Sequence, residues 1–363
     1  MDLPPSRKDV IKNRTDQRIL LNCLVKMIDQ ELDILERCNI FHLRLSVGFK
    51  FHDFNLINQI LKNYIWELFV PKEETVYNCT KFSYITMIIN DLKGTIQLSN
   101  GVSMPYFGLG VFKTQEGSEV ENAVSWALEA GYRHIDTAAI YMNERGVGNS
   151  IKNSGIPRNE LFITTKLWND DQRNNTVMEG FEESLKLLQT DYVDLYLIHW
   201  PVKGKFTAAW KVMEDIYRSG RARSIGVSNF LQHHLEDLFT IAEIMPMVNQ
   251  VECHPYLVQQ PLIDFCHSYN IVYEAWSPIM RGQVNDIPLL TKLSEKHHKS
   301  PVQIVLRWDL QKGIVTIPKS VHKERIEHNA DIFDFELTLE DIDLIDALDK
   351  DHHFGAHPDT FTF

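Results

Sequence analysis

Residues 131–168 read GYRHIDTAAIYMNERGVGNSIKNSGIPRNELFITTKLW. Two short apolar runs, 134–137 and 161–165, bracket a stretch over 142–153 with helical patterning, so the unit reads as strand, helix, strand. The alternation continues in both directions. Further apolar runs fall at 106–109, 193–198, 224–227, 247–251, 271–275 and 315–317, and helical stretches at 117–130, 174–189, 206–219, 231–242, 259–268 and 300–311. Eight strands with intervening helices over about 250 residues match an α/β fold of the (β/α)8 TIM barrel type in number and size. Ahead of the first strand, 95–98 and 102–104 flank Ser99-Asn100-Gly101, the signal of a β-hairpin, which is expected to cap the bottom of the barrel. The alternative is an open doubly wound sheet, which usually announces itself with G-x-G-x-x-G after the first strand. Here the first strand gives Gly108-Leu-Gly110-Val-Phe-Lys113, without the third glycine, and there is no P-loop.

The chain has 363 residues, 44% hydrophobic and 24% charged, enough to bury a sizeable core. Its formal net charge of -12 argues against nucleic acid or an anionic membrane surface as a bulk partner, while leaving room for a local basic pocket that holds a phosphate. The five cysteines, Cys23, Cys38, Cys79, Cys253 and Cys266, are scattered with no CxxC, which reads as reduced thiols in a cytoplasmic protein. The N-terminus lacks the apolar stretch of a signal peptide, and no apolar run approaches the roughly 20 residues that span a bilayer. Residues 1–86 differ in character, with no alanine and a single glycine, Gly48. Leu20, Leu21, Leu24, Met27, Ile28, Leu32 and Leu35 recur at helical spacing, and Leu56, Ile57, Ile60, Leu61 and Ile65 suggest a second helix. Two readings stand for this segment: a helical appendage for docking or oligomerisation, or an extension without a fold of its own. Met87 looks like a natural start, so the division expected is 1–86 as extension and 87–363 as barrel.

In a barrel of this kind, functional residues sit at the C-terminal ends of the strands. Asp136 and Tyr141 lie at and just after the second run, Lys166 ends the third and His199 ends the fourth. Each alone has a plain reading: a helix cap, a packing residue, a solvated charge. Together at one rim they make a proton-delivery site. A tyrosine, with a reference pKa of about 10, is a weak acid at neutral pH, and a neighbouring ammonium favours its anion. A carboxylate can hold that lysine, and a histidine can orient a carbonyl. No metal or covalent nucleophile is needed, and the chemistry suits carbonyl reduction by an external hydride donor. Phe112, Trp168 and Trp200, after the first, third and fourth strands, would make an apolar wall for a small-molecule substrate or serve as core. Lys319, Ser320 and Arg325, after the eighth, suit a phosphate or a solvated helix start. His352, His353 and His357 fit no standard metal spacing. Cys253 and His254 are adjacent on a strand and point to opposite faces, a poor geometry for a nucleophile pair.

From about residue 93 to the end the chain resembles the aldo-keto reductases. The resemblance is carried by GYRHIDTAAIY, FITTKLW, DYVDLYLIHWP, RSIGVSNF, NQVECHP and VTIPKSVHKERIEHN in that order, and EAWSPIMRGQ, FGAHPDTFTF and the short HWPVKGKF loop resemble its prokaryotic branch of glyoxal, methylglyoxal and diketogluconate reductases. It implies Tyr141 as general acid, tuned by Lys166 and Asp136, with His199 orienting the carbonyl. It implies that Ser228, Asn229 and Gln250 hydrogen-bond a nicotinamide carboxamide and that Trp276 stacks on the ring. Lys319, Ser320 and Arg325 would hold a 2′-phosphate, hence NADPH, and Asn329 the adenine. His328 stands where the family commonly has an acidic residue, which leaves one adenine contact open. Substrates implied are small aldehydes, α-oxoaldehydes or keto sugars, acted on by a monomer. A second reading is a cofactor-binding regulatory subunit whose segment 1–86 docks a partner protein. A phosphate-binding barrel without redox chemistry would leave GVSNF and Trp276 unexplained.

Overall fold

The computed structural model describes residues 89–363; the two helices expected within 1–86, and three of the five cysteines, lie outside the described residues. Thr95–Gln97 (β1) and Ser103–Pro105 (β2) pair antiparallel around Gly101, whose φ of 85° is reached most cheaply without a Cβ. Leu98 and Met104 turn inward and are buried. The Asn100 side chain donates to the Arg223 carbonyl at 2.8 Å, just ahead of a barrel strand, so the hairpin closes the N-terminal end of the barrel as expected.

Eight parallel strands follow: Gly108–Gly110 (β3), His134–Asp136 (β4), Phe162–Leu167 (β5), Leu195–Ile198 (β6), Ile225–Ser228 (β7), Val248–Glu252 (β8), Val272–Trp276 (β9) and Val315–Thr316 (β10). Their order in the sheet is their order in the chain. The ring closes between its ends: the Thr316 N–H donates to Tyr106 O at 3.0 Å and the Gly110 N–H to Pro318 O at 3.3 Å. The first strand begins at Gly108, two residues later than the apolar run predicts, because Phe107 makes only an isolated bridge to Thr316. Gly226 has no room for a side chain: a Cβ there would stand 2.5 Å from Val248 O on the next strand.

The helices are Ser118–Glu129 (α1), Glu144–Asn153 (α2), Asn169–Asn174 (α3), Val177–Leu188 (α4), Phe206–Arg218 (α5), Gln232–Phe239 (α6), Gln260–Ser268 (α7), Pro288–His297 (α8), Pro301–Gln311 (α9), Lys323–Ala330 (α10) and Leu339–Asp346 (α11). Seven answer to the helical stretches in the sequence. Helix α5 shows why: Phe206, Ala209, Trp210, Met213 and Ile216 recur at three- and four-residue steps and are all buried, each large side chain contributing about 1.5–3 kcal/mol. Helix α9 starts at Ser300, whose hydroxyl accepts from the Gln303 N–H while the Gln303 side chain accepts from the Ser300 N–H, with Pro301 in the first turn. Helices α3, α8, α10 and α11 are additional. They have six to ten residues and follow or precede another helix or a loop without a strand-like run between, so the strand–helix alternation does not announce them.

Candidate active site

Asp136 closes β4, Lys166 lies near the end of β5, His199 follows β6 directly, and Tyr141 ends a short 3-10 turn, Ala139–Tyr141, beyond β4. The barrel brings all four together. Lys166 Nζ donates to Asp136 Oδ1 at 2.6 Å and to the Thr137 carbonyl at 2.9 Å, and stands 3.4 Å from Tyr141 Oη. The ring of Tyr141 lies edge-on to that of His199 with centroids 5.6 Å apart. The turn carrying Tyr141 is held by Asn143, a residue that sequence reasoning passed over. Its side chain accepts from Thr137 Oγ1 at 2.7 Å and donates to the carbonyls of Val111 and Thr114. The only signal for it in the sequence is an amide two residues past the tyrosine.

Burial lowers the Lys166 ammonium pKa, but Asp136 and then Tyr141 outweigh that and leave it above its ordinary value. Burial raises the Asp136 carboxyl, against Lys166 and Gln250; at 2.6 Å from an ammonium that is itself held charged, the carboxyl is one half of an ion pair. Burial also governs Tyr141, which is pushed up to about 12 although Lys166 pulls the other way, with Asp136 and Glu274 adding to the rise. Part of its surface is open, which moderates that push. The lysine does favour the tyrosinate, as expected, but the net result is a phenol that keeps its proton at neutral pH. His199 is driven well below its usual range by burial and then by Lys166, so its imidazole is neutral.

On the opposite side of the mouth, Ser228 ends β7, Asn229 follows with φ 63°, Gln250 sits in β8 and Trp276 ends β9. Ser228 Oγ donates to the Gln250 carbonyl at 2.7 Å. The Asn229 amide donates to His199 O at 2.9 Å and to Ser228 Oγ at 3.1 Å, and its oxygen accepts from the Trp276 indole N–H at 2.9 Å. Asn229 therefore fixes the plane of the indole and the backbone behind His199. Lys319 and Ser320 follow β10; Arg325 and Asn329 lie on α10. Lys319 is half-buried and its pKa is lowered by that burial, while Arg325 is exposed; among the described residues neither forms an ion pair. An unpaired cation partly out of water calls for an anion, and Lys319 next to Ser320, with Arg325 in the first turn of α10, makes a donor set of the kind that suits a phosphate. Aligned polar side chains and a fixed indole over the mouth fit a planar amide-bearing ring. His328, on α10, pairs through its ring with Ser300 Oγ at 3.3 Å.

Phe112 and Trp168 stand beside the tetrad: Phe112 is 4.9 Å from the Tyr141 ring and Trp168 is 5.4 Å from the His199 ring. Trp200 is buried and covered by Phe361 and Phe363 of the C-terminal segment, and Phe363 also stacks on Trp168 at 5.9 Å. Sequence reasoning missed both phenylalanines as wall residues, because contacts across about 160 to 195 positions leave no local pattern. The segment is tied down by Glu252, which accepts from the backbone N–H groups of Phe354 and Gly355 and from His353. Gly355 lies against the indole: a Cβ there would be 2.4 Å from Trp276 Cη2. His233 and His234 meet Asp359 at 2.9 and 3.3 Å, the densest group of metal-ligating side chains among the described residues. The Leu231 N–H donates to His234 Nδ1, which places that ring's own hydrogen on Nε2, facing the carboxylate, so the trio acts as a clamp on the C-terminal segment. Cys253 is buried with its thiol pKa well above normal, and His254 turns to Glu252 at 3.4 Å, so the two form no nucleophile pair.

Residues 106–350 match the sequence model of the "Aldo/keto reductase family". Glyoxal reductase of Bacillus subtilis (strain 168) is 58% identical over 272 residues, covering 75% of this chain and 99% of that protein. Methylglyoxal reductase DkgA of Escherichia coli (strain K12) is 45% identical over 270 residues, covering 73% of this chain and 97% of its own length. The crystal structure of a Bombyx mori aldo-keto reductase in complex with NADP superimposes with a TM-score of 0.69 at 41% identity, over 73% of this chain and 96% of that one.

Proposed function

Because the chain belongs to the aldo/keto reductase family, whose members are NADP(H)-dependent oxidoreductases, we propose that it reduces small aldehydes, and α-oxoaldehydes such as glyoxal and methylglyoxal in particular, with Tyr141 as the proton donor. The observation that carries the reading is the contact of Lys166 Nζ with both Asp136 Oδ1 and Tyr141 Oη, at 2.6 and 3.4 Å, beside a neutral His199. The bound nicotinamide supplies the hydride that the carbonyl carbon accepts. Tyr141 gives its proton to the carbonyl oxygen as that oxygen becomes an alkoxide. Lys166 stabilises the tyrosinate left behind, and Asp136 holds the ammonium in place. His199, uncharged, donates one N–H to the carbonyl oxygen and fixes its direction. Ser228, Asn229, Gln250 and Trp276 orient the nicotinamide; Lys319, Ser320 and Arg325 bind the 2′-phosphate and Asn329 the adenine. Phe112 and Trp168, with Phe363, would make the apolar wall for a two- or three-carbon dicarbonyl, and Trp200 would back it through Phe361 and Phe363.

Residues 87–363 are the catalytic unit in this reading and 1–86 an extension outside it, supported by relatives that match over nearly their whole length within three quarters of this chain. The reading is of a monomer working in the cytoplasm; the unpaired, buried Cys253 and Cys266 fit a reducing compartment. Among the described residues no helix is long and apolar enough to cross a membrane. The decisive test is Tyr141→Phe: NADPH binding should persist while NADPH consumption with methylglyoxal falls by about 10²–10⁴-fold. Near-normal turnover would remove Tyr141 from the proton-donor role.

A further inference from the structure

Gln250 and Glu274 are register partners on the adjacent parallel strands β8 and β9, so their side chains enter the barrel side by side. The Gln250 amide nitrogen donates to Glu274 Oε2 at 2.9 Å and, across the barrel, to Asp136 Oδ2 at 2.7 Å. An amide NH2 has two hydrogens, and both are taken by carboxyl oxygens. What remains for the mouth of the site is Oε1, an acceptor. We infer that Glu274 is a positioning residue that locks the Gln250 amide so that Gln250 offers the cofactor an acceptor only. The inference rests on the reading of Gln250 as a carboxamide contact and gives that contact its chemistry: Gln250 recognises the N–H side of the nicotinamide carboxamide.

Asp136 alone does not secure this orientation. One bond to Asp136 would leave the second hydrogen free to turn toward the mouth, whereas two carboxyls at an angle remove that freedom. The surroundings permit a second acid at this depth. The groups that face Glu274 are Asp136 and His134 from β4, with His134 Nε2 at 3.8 Å, then Lys166 from β5 and Tyr141 from the turn after β4. Burial, and then Asp136, push the Glu274 carboxyl up to about 8, so at neutral pH Gln250 bridges one carboxylate and one neutral acid. Two carboxylates would otherwise face each other in a dry interior. Either form of Glu274 accepts through Oε2. Trp276, two residues on along β9, projects to the same side one layer nearer the mouth, so the locked amide lies directly beneath the residues that face the cofactor.

The test is the binding preference for NADP+ over its nicotinic acid analogue, which carries a carboxylate in place of the carboxamide, followed by quenching of tryptophan fluorescence. An acceptor facing the carboxylate repels it, so the full-length wild type should favour NADP+. Glu274→Met, close in volume and lacking the oxygen, frees one amide hydrogen. The preference should then fall by about tenfold, the worth of one hydrogen bond of roughly 1.4 kcal/mol. Glu274→Gln keeps an acceptor for Gln250 and should retain the preference. Glu274→Met removes a buried acid, so its melting temperature at pH 9 should not fall below that of the wild type; a merely structural role predicts the reverse. An unchanged preference in Glu274→Met would overturn the inference, as would an equal loss in Glu274→Gln. Gln250→Ala separates the two layers. If it leaves NADP+ affinity intact, the contact itself is wrong; if it weakens NADP+ and Glu274→Met leaves the preference unchanged, only the role of Glu274 is wrong.

Discussion

Lys166→Met tests whether the ammonium acts on the tyrosine or only fills the barrel. Nζ is 3.4 Å from Tyr141 Oη. With an effective dielectric of about 20, an ammonium at that distance stabilises a tyrosinate by roughly 5 kcal/mol, about three and a half orders of magnitude in acidity. Removing it lets burial and Asp136 act on the phenol unopposed. If about half of that difference is felt in the transition state for proton transfer, kcat/KM for methylglyoxal falls by roughly 10²-fold, at the low end of what general acids contribute. The same change strands the Asp136 carboxylate, which is 2% exposed. Breaking a buried pair in this way costs about 3–5 kcal/mol of stability, visible as a drop on the order of 10 °C in Tm. The two effects separate in the double variant Lys166→Met with Asp136→Asn, which removes the stranded charge. Stability should recover substantially while kcat/KM stays low, with NADPH affinity followed by fluorescence as a control. Recovery of activity along with stability would refute the argument, since it would mean that the loss came from the stranded carboxylate and not from the absent cation.

Arg325→Ala should weaken NADPH binding by about tenfold, the scale of a charge-assisted contact at an exposed site, and leave NADH unchanged; an equal loss for both in titrations would remove the 2′-phosphate contact. The pH profile of reduction follows from two groups. Tyr141 must be protonated, and that form is lost only as pH rises through a pKa pushed up to about 12; His199 must be neutral, and that form is lost only as pH falls through a pKa held well below 6.5. Steady-state kcat/KM should therefore show no transition centred near pH 6.5, and one that disappears in His199→Asn would contradict the neutral imidazole. Gly355→Ala sets a methyl 2.4 Å from Trp276 Cη2 and should shift the indole, weaken NADPH and alter tryptophan fluorescence; full retention of affinity would place the ring elsewhere during binding.

Much of the fold was readable because short strand-like runs alternate with helical stretches in a regular order and each long helix shows the 3.6-residue period. The boundaries slipped where side-chain chemistry overrides that pattern. Asn143 delays α2 by two residues because its amide is fully engaged with Thr137, Val111 and Thr114. The tetrad was legible because strand ends are fixed places in a barrel. The links among its members were not. Gln250 reaching Asp136 spans 114 positions, and Glu274 looks in sequence like one acidic residue in an apolar strand, a place where charge is unusual but says nothing of its partner. The same holds for Phe363 on Trp168 and for Asp359 on His233: contacts made by a chain end with distant loops leave no periodic trace.

Burial does more at this site than shield it. The site holds one ion pair, a neutral imidazole, a protonated phenol and a carboxyl that stays neutral up to about pH 8, so before reaction its charges cancel. Reduction builds negative charge on the carbonyl oxygen and then on Tyr141 Oη, both next to the Lys166 ammonium. Oxidation of the alcohol would first require Tyr141 to lose its proton, which burial opposes. An interior that resists making the tyrosinate yet keeps a cation at its edge therefore favours the direction that starts from the phenol. The same interior explains why the carboxyl beneath Gln250 is tolerated: protonated at neutral pH, it adds an acceptor for the amide without adding the negative charge that would compete with the alkoxide for Lys166.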